Sequence, residues 1–414
     1  MLIKFVIYRV LSVRRIRLLD VCNPGAFFLI QFFFYFGIGV FLYFFDLIPF
    51  DVASYTIKLI FLYLMVFILS AYVISDRLIG RNAPRLQTVT VYNIKINHAF
   101  YICMVVAMFS ILMLIGVHIS NGFVPALGGD NINSLRVQAM VGKGRFVIPA
   151  FSLLYIANSI LFSIYSLLDS KIRKILAFII LICSFFAILS FGFRSPSFYL
   201  LITVGVLNIS LTSSYQEKVG LNRKLVVFFS MLVIFLVIAG LFRDGVSVST
   251  ASLNGLFYAF SVNLFNLNQI VINYPSVNNY LYGFSFINDL SAVIPGLDGE
   301  FLGNYLKEQL KLDFDGSSIS ATAIGEGYVN LGLIGVILHA IFTGTFSGLM
   351  YSIFARRNTI WSRLFLVIFA LSFGRIVTGG VSAILFFSIL PNMLLLVFFF
   401  LILKSRCKYG KVVG

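Results

Sequence analysis

Charge is what this sequence has least of: 11% of its 414 residues are Asp, Glu, Lys or Arg, against 60% hydrophobic residues. Soluble domains carry about 25% charged residues, so a water-facing surface is excluded for most of the chain. With a mean hydropathy of +1.00, the chain reads as a multi-spanning membrane protein. Cysteine is equally sparse. Of the four, Cys22 and Cys407 fall in predicted inner segments, and Cys103 and Cys183 fall inside spans. None lies in a predicted outer loop, so no external disulfide framework is expected. The three histidines, His98, His118 and His339, are dispersed, which excludes a histidine metal cluster. A Gly-rich Lys motif for cradling phosphates is also missing.

Apolar runs of about 20 residues mark spanning helices. They predict ten, near 26–45, 52–74, 98–119, 146–168, 175–193, 197–212, 225–242, 322–352, 360–378 and 381–403. The expected fold is an all-α polytopic membrane bundle of about 10 helices (10–12), with a large outer loop between the seventh and eighth. The corresponding organisation is a basic inner-face amphipathic arm at 1–25, a first block of helices at 26–242, a periplasmic loop or lid at 243–321, three last helices at 322–403, and a cytoplasmic tail at 404–414.

The net charge of +16 has a topological explanation rather than a nucleic-acid one. Of the 31 basic residues, 22 fall in the arm, the tail and the connections assigned to the inner side, as the positive-inside rule requires. This places both termini inside. Only Asp20, Asp76, Asp169 and Glu217 of the 15 carboxylates share that side. The stretch 252–272 is apolar but interrupted by Asn254, Asn263, Asn266, Asn268 and Gln269. Unpaired amides are costly in hydrocarbon, so the stretch is expected to lie as a helix on the outer surface. If it spanned, the inner assignment of Arg356 and Arg357 would invert.

Candidate chemistry collects at the outer ends of helices. Glu326, in Ile324-Gly325-Glu326-Gly327-Tyr328-Val329-Asn330-Leu331-Gly332-Leu333-Ile334-Gly335, is the one carboxylate expected inside a spanning helix. An unpaired charge there costs about 2.5–3.5 kcal/mol on insertion scales. Two explanations stand side by side: a structural pairing at a close-packed glycine-rich helix start, or a functional carboxylate. His339 follows 13 residues later. A straight helix rises 1.5 Å per residue, which sets the two about 20 Å apart.

Three arginines oppose the positive-inside trend. Arg194 lies in Phe191-Gly192-Phe193-Arg194-Ser195-Pro196-Ser197, Arg243 in Arg243-Asp244-Gly245, and Arg375 in Phe373-Gly374-Arg375-Ile376. A guanidinium stays charged when partly desolvated and grips phosphate oxygens with two parallel bonds. Their grouping points to a site for a lipid-linked phosphate or pyrophosphate, with Arg136 of the 120–145 outer loop and Tyr328 as further binding candidates. Snorkelling or pairing with loop carboxylates is the plain alternative for any one of them. The loop carboxylates Asp298, Glu300, Asp313 and Asp315 read as solvated charge.

The Phe191–Ser197 motif, the segment from Tyr282-Gly283-Phe284-Ser285-Phe286 to Ile294-Pro295-Gly296, and the Ile324–Gly335 motif together resemble the O-antigen polymerase family (Wzy-type) over essentially the whole chain. The resemblance implies an inner-membrane glycosyltransferase without a cofactor. It would transfer a growing polysaccharide from undecaprenyl pyrophosphate to a new lipid-linked repeat unit on the periplasmic face. Arg194, Arg243 and Arg375 could stabilise the leaving pyrophosphate without a metal, and Glu326 or Asp244 could serve as general base. Implied partners are undecaprenyl-pyrophosphate-linked glycans, the lipid bilayer, a chain-length regulator and a flippase, with no nucleic acid. A lipid-linked oligosaccharide flippase is the competing function. O-antigen ligases share the architecture, and the resemblance implies for them a functional His in the large outer loop. Residues 243–321 contain none, which favours a polymerase.

Overall fold

The computed structural model describes residues 23–48, 50–79, 94–140, 142–212, 253–276, 278–294, 297–312, 318–355, 357 and 359–404. The basic arm, the expected span at 225–242, Arg243 and Asp244 lie outside the described residues. Thirteen helices organise the remainder. They are α1 (Pro24–Phe44), α2 (Ser54–Ile79), α3 (Ile96–Asn121), α4 (Ile132–Met140), α5 (Gly144–Ser163), α6 (Lys171–Leu189), α7 (Arg194–Thr212), α8 (Leu253–Asn273), α9 (Phe284–Val293), α10 (Leu302–Gln309), α11 (Ala323–Ala355), α12 (Ile360–Gly379) and α13 (Val381–Leu403). Among the described residues, eight helices are long and apolar enough to cross a membrane: α1, α2, α3, α5, α6, α11, α12 and α13. The fold is an all-helical polytopic membrane protein. The expected span at 197–212 is helical as α7, but its strongly apolar stretch covers only Ser195–Asn208.

The described residues fall into two compact units. One lies within Gln87–Ser252, Asn358–Leu364 and Leu394–Gly414. Its logic is clearest in α3, where Ala99, Cys103, Ala107, Ser110 and Leu114 are buried, while Tyr101, Val105, Met108, Leu112, Ile115 and Ile119 are exposed. Large side chains turned outward and small ones inward suit a lipid solvent, which offers no hydrophobic drive between helices and rewards close backbone approach. Buried polar side chains are partnered across helices: His118 Nε2 meets Ser190 Oγ at 2.7 Å, and Asn158 Nδ2 donates to Ser184 Oγ at 3.0 Å.

The other unit lies within Met1–Leu86, Leu253–Arg357 and Phe365–Met393. Phe28, Phe32, Phe36, Tyr63, Phe67, Phe369 and Phe373 form an aromatic core, with Phe28 and Phe67 stacked at 4.2 Å. α2 packs along α11 where Gly344 lies against Ser70 and the Phe67 carbonyl, and Tyr63 Oη bonds Thr343 Oγ1 at 2.9 Å. α8 departs from the surface helix expected for 252–272. Its Asn263, Asn266 and Asn268 are buried with Leu264, Leu267 and Ile270. Asn268 solves its own polar cost by accepting from Ala53 N and Thr56 Oγ1, each at 2.9 Å, and donating to the Asp51 carbonyl at 3.0 Å.

The largest correction concerns α11. It is not one straight helix: Leu331 (φ −143°, ψ 23°) and Gly332 (φ 58°, ψ −139°) leave the helical region and break it into two limbs. The limbs fold onto each other, so that a Cβ on Gly335 would fall 1.9 Å from the Gly327 carbonyl oxygen. Glycine is required at such a backbone-to-backbone crossing. The 20 Å separation expected between Glu326 and His339 therefore fails, because it assumed a rod. The His339 ring reaches the backbone of Ala323 and lies 5.7 Å from the Phe286 ring.

The crossing carries a testable consequence. Gly335→Ala should lower stability by about 1–3 kcal/mol through forced separation of the limbs, read as a drop in thermal midpoint in detergent. Gly116→Ala, where a Cβ would meet nothing within 4 Å, should leave that midpoint unchanged.

Candidate functional site

The break in α11 creates the site. Its first limb, Ala323–Asn330, begins where Thr322 Oγ1 accepts from Gly325 N at 2.9 Å and Thr322 N donates to the Thr378 carbonyl at 3.1 Å. This sets the limb beside the junction of α12 and α13. Gly380 makes that junction with φ +85°, and α13 starts immediately after it. Glu326, fully buried, points at the free amino end of α13. Its carboxylate accepts from Val381 N, from Ser382 N at 3.2 Å (Oε2) and 3.3 Å (Oε1), from Ser382 Oγ, and from Ser285 Oγ at 3.3 Å. A helix amino end presents unpaired N–H groups and a positive dipole, so Glu326 caps α13 from another helix. Charge-assisted hydrogen bonds are worth about 1.5–3 kcal/mol each. Four together outweigh an insertion penalty of about 3 kcal/mol. The groups holding the charge are hydroxyls and backbone amides, with no cation pairing to it among the described residues.

A second carboxylate, which sequence reasoning passed over, completes the centre. Asp289 of α9 is buried, its Oδ2 meets Ser382 Oγ, and its Oδ1 accepts from Leu302 N at 2.8 Å. Burial raises the Asp289 carboxyl to about 6, a shift that the Glu326 charge adds to, while the bonds from Ser382 and Leu302 oppose it. Asn330 closes the set: Nδ2 donates to Ser285 Oγ at 2.7 Å and to the Glu326 carbonyl at 2.8 Å, and Oδ1 accepts from Gly283 N at 2.9 Å. One signal was available in the sequence. Ser285 and Asp289, like Glu326 and Asn330, stand four residues apart and so share a helix face. Two polar i,i+4 pairs in apolar surroundings imply that they face one another.

The other sequence candidates are distributed. Arg375, half-buried, sits at the turn within α12 just before the Gly379–Gly380 break, in the same unit as Glu326. Its Nη1 reaches Ser388 Oγ at 3.4 Å, and Tyr35 of α1 lies within range of its charge. Tyr328, one turn segment from Glu326, is buried and donates to the Tyr274 carbonyl at 3.2 Å; Tyr55 and Tyr280 pack edge-on against its ring at 6.1 and 6.2 Å. Arg136 belongs to the other unit, with its guanidinium 5.3 Å from the Phe193 ring centre. Arg194 opens α7 in that unit, directly after the turn at Gly192 (φ +76°). Arg243 and Asp244 lie outside the described residues.

The sequence has a match among known families. Residues 23–389, most of the chain, match the family model of O-antigen polymerases, and the chain belongs to that family. No curated protein and no solved structure gives a match. Family membership and the spanning helices together support polymerisation of repeat units into O-antigen by a multi-pass protein of the bacterial inner membrane.

The seat of Glu326 can be probed without touching its charge. A Cβ on Gly380 would fall 2.8 Å from Glu326 Oε2, at a φ of +85° that side chains rarely adopt. Gly380→Ala should cost about 1–3 kcal/mol and lower both thermal midpoint and membrane protein level.

Proposed function

We propose that the chain elongates polysaccharide by transfer between lipid carriers at the outer face of the inner membrane, with both termini cytoplasmic. The anomeric carbon–oxygen bond to undecaprenyl pyrophosphate breaks, and a bond forms to a hydroxyl of the incoming lipid-linked repeat. The hydroxyl proton passes to a base, and the pyrophosphate leaves with its negative charge. Arg375 supplies charge stabilisation to that leaving group; Arg194, Arg243, Arg136 and Tyr328 are the other substrate- or pyrophosphate-binding residues that the sequence proposes. Preorganised cations acting on developing charge give the largest share of the rate in such a scheme. Glu326 and Asp244 are the two bases proposed. Glu326 faces four donors, which favour the ionised form a base needs. Taking a proton would require one of them to give way, and the bond from Ser285, at 3.3 Å, is among the longest.

The observation that carries this reading is that one compact unit holds both Arg375, before the Gly379–Gly380 break, and a buried carboxylate centre bound to Val381 and Ser382 just after it. A chain-length regulator and a flippase are its proposed partners.

Purified protein in proteoliposomes, supplied with short lipid-linked repeat units, should release longer saccharides. Arg375→Ala should slow elongation by about 100-fold at unchanged protein level. Movement of the lipid-linked unit across the bilayer without any lengthening would overturn the assignment in favour of a transporter.

A further inference from the structure

Hydrogen-bond bookkeeping around Ser382 reveals a proton that the heavy atoms imply. Glu326 faces donors at both oxygens. Backbone N–H groups of Val381 and Ser382 can only donate, and Ser285 Oγ already accepts from Asn330 Nδ2, which leaves its proton for Glu326. A carboxylate can accept from all of these donors at once. Ser382 Oγ contacts both Glu326 Oε1 and Asp289 Oδ2, yet a hydroxyl has one proton to give. Once that proton goes to Glu326, the contact with Asp289 needs a proton on Asp289 itself. The other Asp289 oxygen accepts from Leu302 N, as a carbonyl oxygen would. In that arrangement the chain runs from the Asp289 acid through Ser382 to the Glu326 carboxylate.

We propose that Asp289 is a positioning residue of the Glu326 centre: it carries one proton, donates it to Ser382, and by that bond latches α9 and the following segment Leu297–Leu302 onto the amino end of α13. The segment is otherwise held to its own helix end, where a Cβ on Gly299 would come within 2.2 Å of Ala292 N, and to α11 by Gly283 N on Asn330 Oδ1. Charged or titratable groups on the elements packed against α9 are Glu326, Tyr328, His339 and Tyr351 of α11, Tyr305, Lys307 and Glu308 of α10, and Glu300 before it. The start of α13, Val381–Ile389, carries none. Among these, Glu326 is the one whose charge acts on Asp289.

The sign of the pH dependence follows. Asp289 is raised in the latched state to about 6, above the ordinary carboxyl value near 4. The stabilisation from its neutral form is complete below about pH 4 and is lost as pH rises through about 6. Beyond that point two carboxylates face one hydroxyl and repel. The effect of this on elongation rests on the polymerase reading; the latch itself does not.

The test is hydrogen–deuterium exchange on the full-length protein in nanodiscs, corrected for intrinsic rates, followed over residues 284–302. Wild type should open more readily as pH rises from about 4 to about 6, by up to about 100-fold. Asp289→Asn, whose amide can donate to Ser382 as the acid does and cannot ionise, should stay protected at every pH. Glu326→Gln sets an NH2 among donors and should lose protection throughout. Equal pH dependence in wild type and Asp289→Asn would overturn the proposal. So would protection kept by Glu326→Gln and lost by Asp289→Asn, since that places the proton on Glu326. If Glu326→Gln does not fold, the comparison of Asp289→Asn with wild type still decides. Elongation assayed in parallel separates the two claims: absence of polymerisation by any variant or wild type condemns the enzymatic reading and leaves the exchange result to judge the latch.

Discussion

A carboxylate buried inside apolar helices must find donors or lose its charge, and the unit that contains Glu326 is built around meeting that demand. The donors come from the exposed amino end of α13, because a helix start is a ready supply of unpaired N–H groups. Bringing Glu326 to that end needs the Gly380 turn at one side and the break at Leu331–Gly332 at the other. The break in turn needs the glycine crossing at Gly327 and Gly335. The break in α11 and the Gly380 turn between α12 and α13 thus trace to one buried charge.

Much of this architecture was legible in the sequence. Apolar run lengths place all eight long spans now seen, since the hydrocarbon thickness fixes helix length independently of fold. The importance of Glu326 was also legible, because a lone carboxylate in an apolar run stands out against its cost. The glycines at 327, 332 and 335 signalled close approach, but not that the approach would be of α11 to itself. A glycine pattern carries no address for its partner. The straight-rod separation of Glu326 and His339 failed for this reason.

Two further features were not recoverable locally. The amides of α8 read as an argument against burial, yet Asn268 finds Ala53, Thr56 and Asp51, more than 200 positions away in the chain. Asp289 was hidden among the outer-loop carboxylates, because its neighbour Ser382 lies 93 positions later. Composition shows that polar groups are present. Only tertiary contact shows that they are satisfied, and a serine hydroxyl is too common in sequence to announce that it bridges two acids.

The way Tyr280–Gly283 finishes the first limb of α11 bears on how such a chain diversifies. Leu281 N and Tyr282 N donate to the carbonyls of Val329 and Asn330, which the broken helix leaves without internal partners. A part of the long connection is thereby structural material of the helical body. An added residue within Tyr280–Gly283 would unseat these backbone bonds, and one within α10 would displace its buried Leu302 and Leu306, so changes in the length of the connection are confined to its remaining stretches.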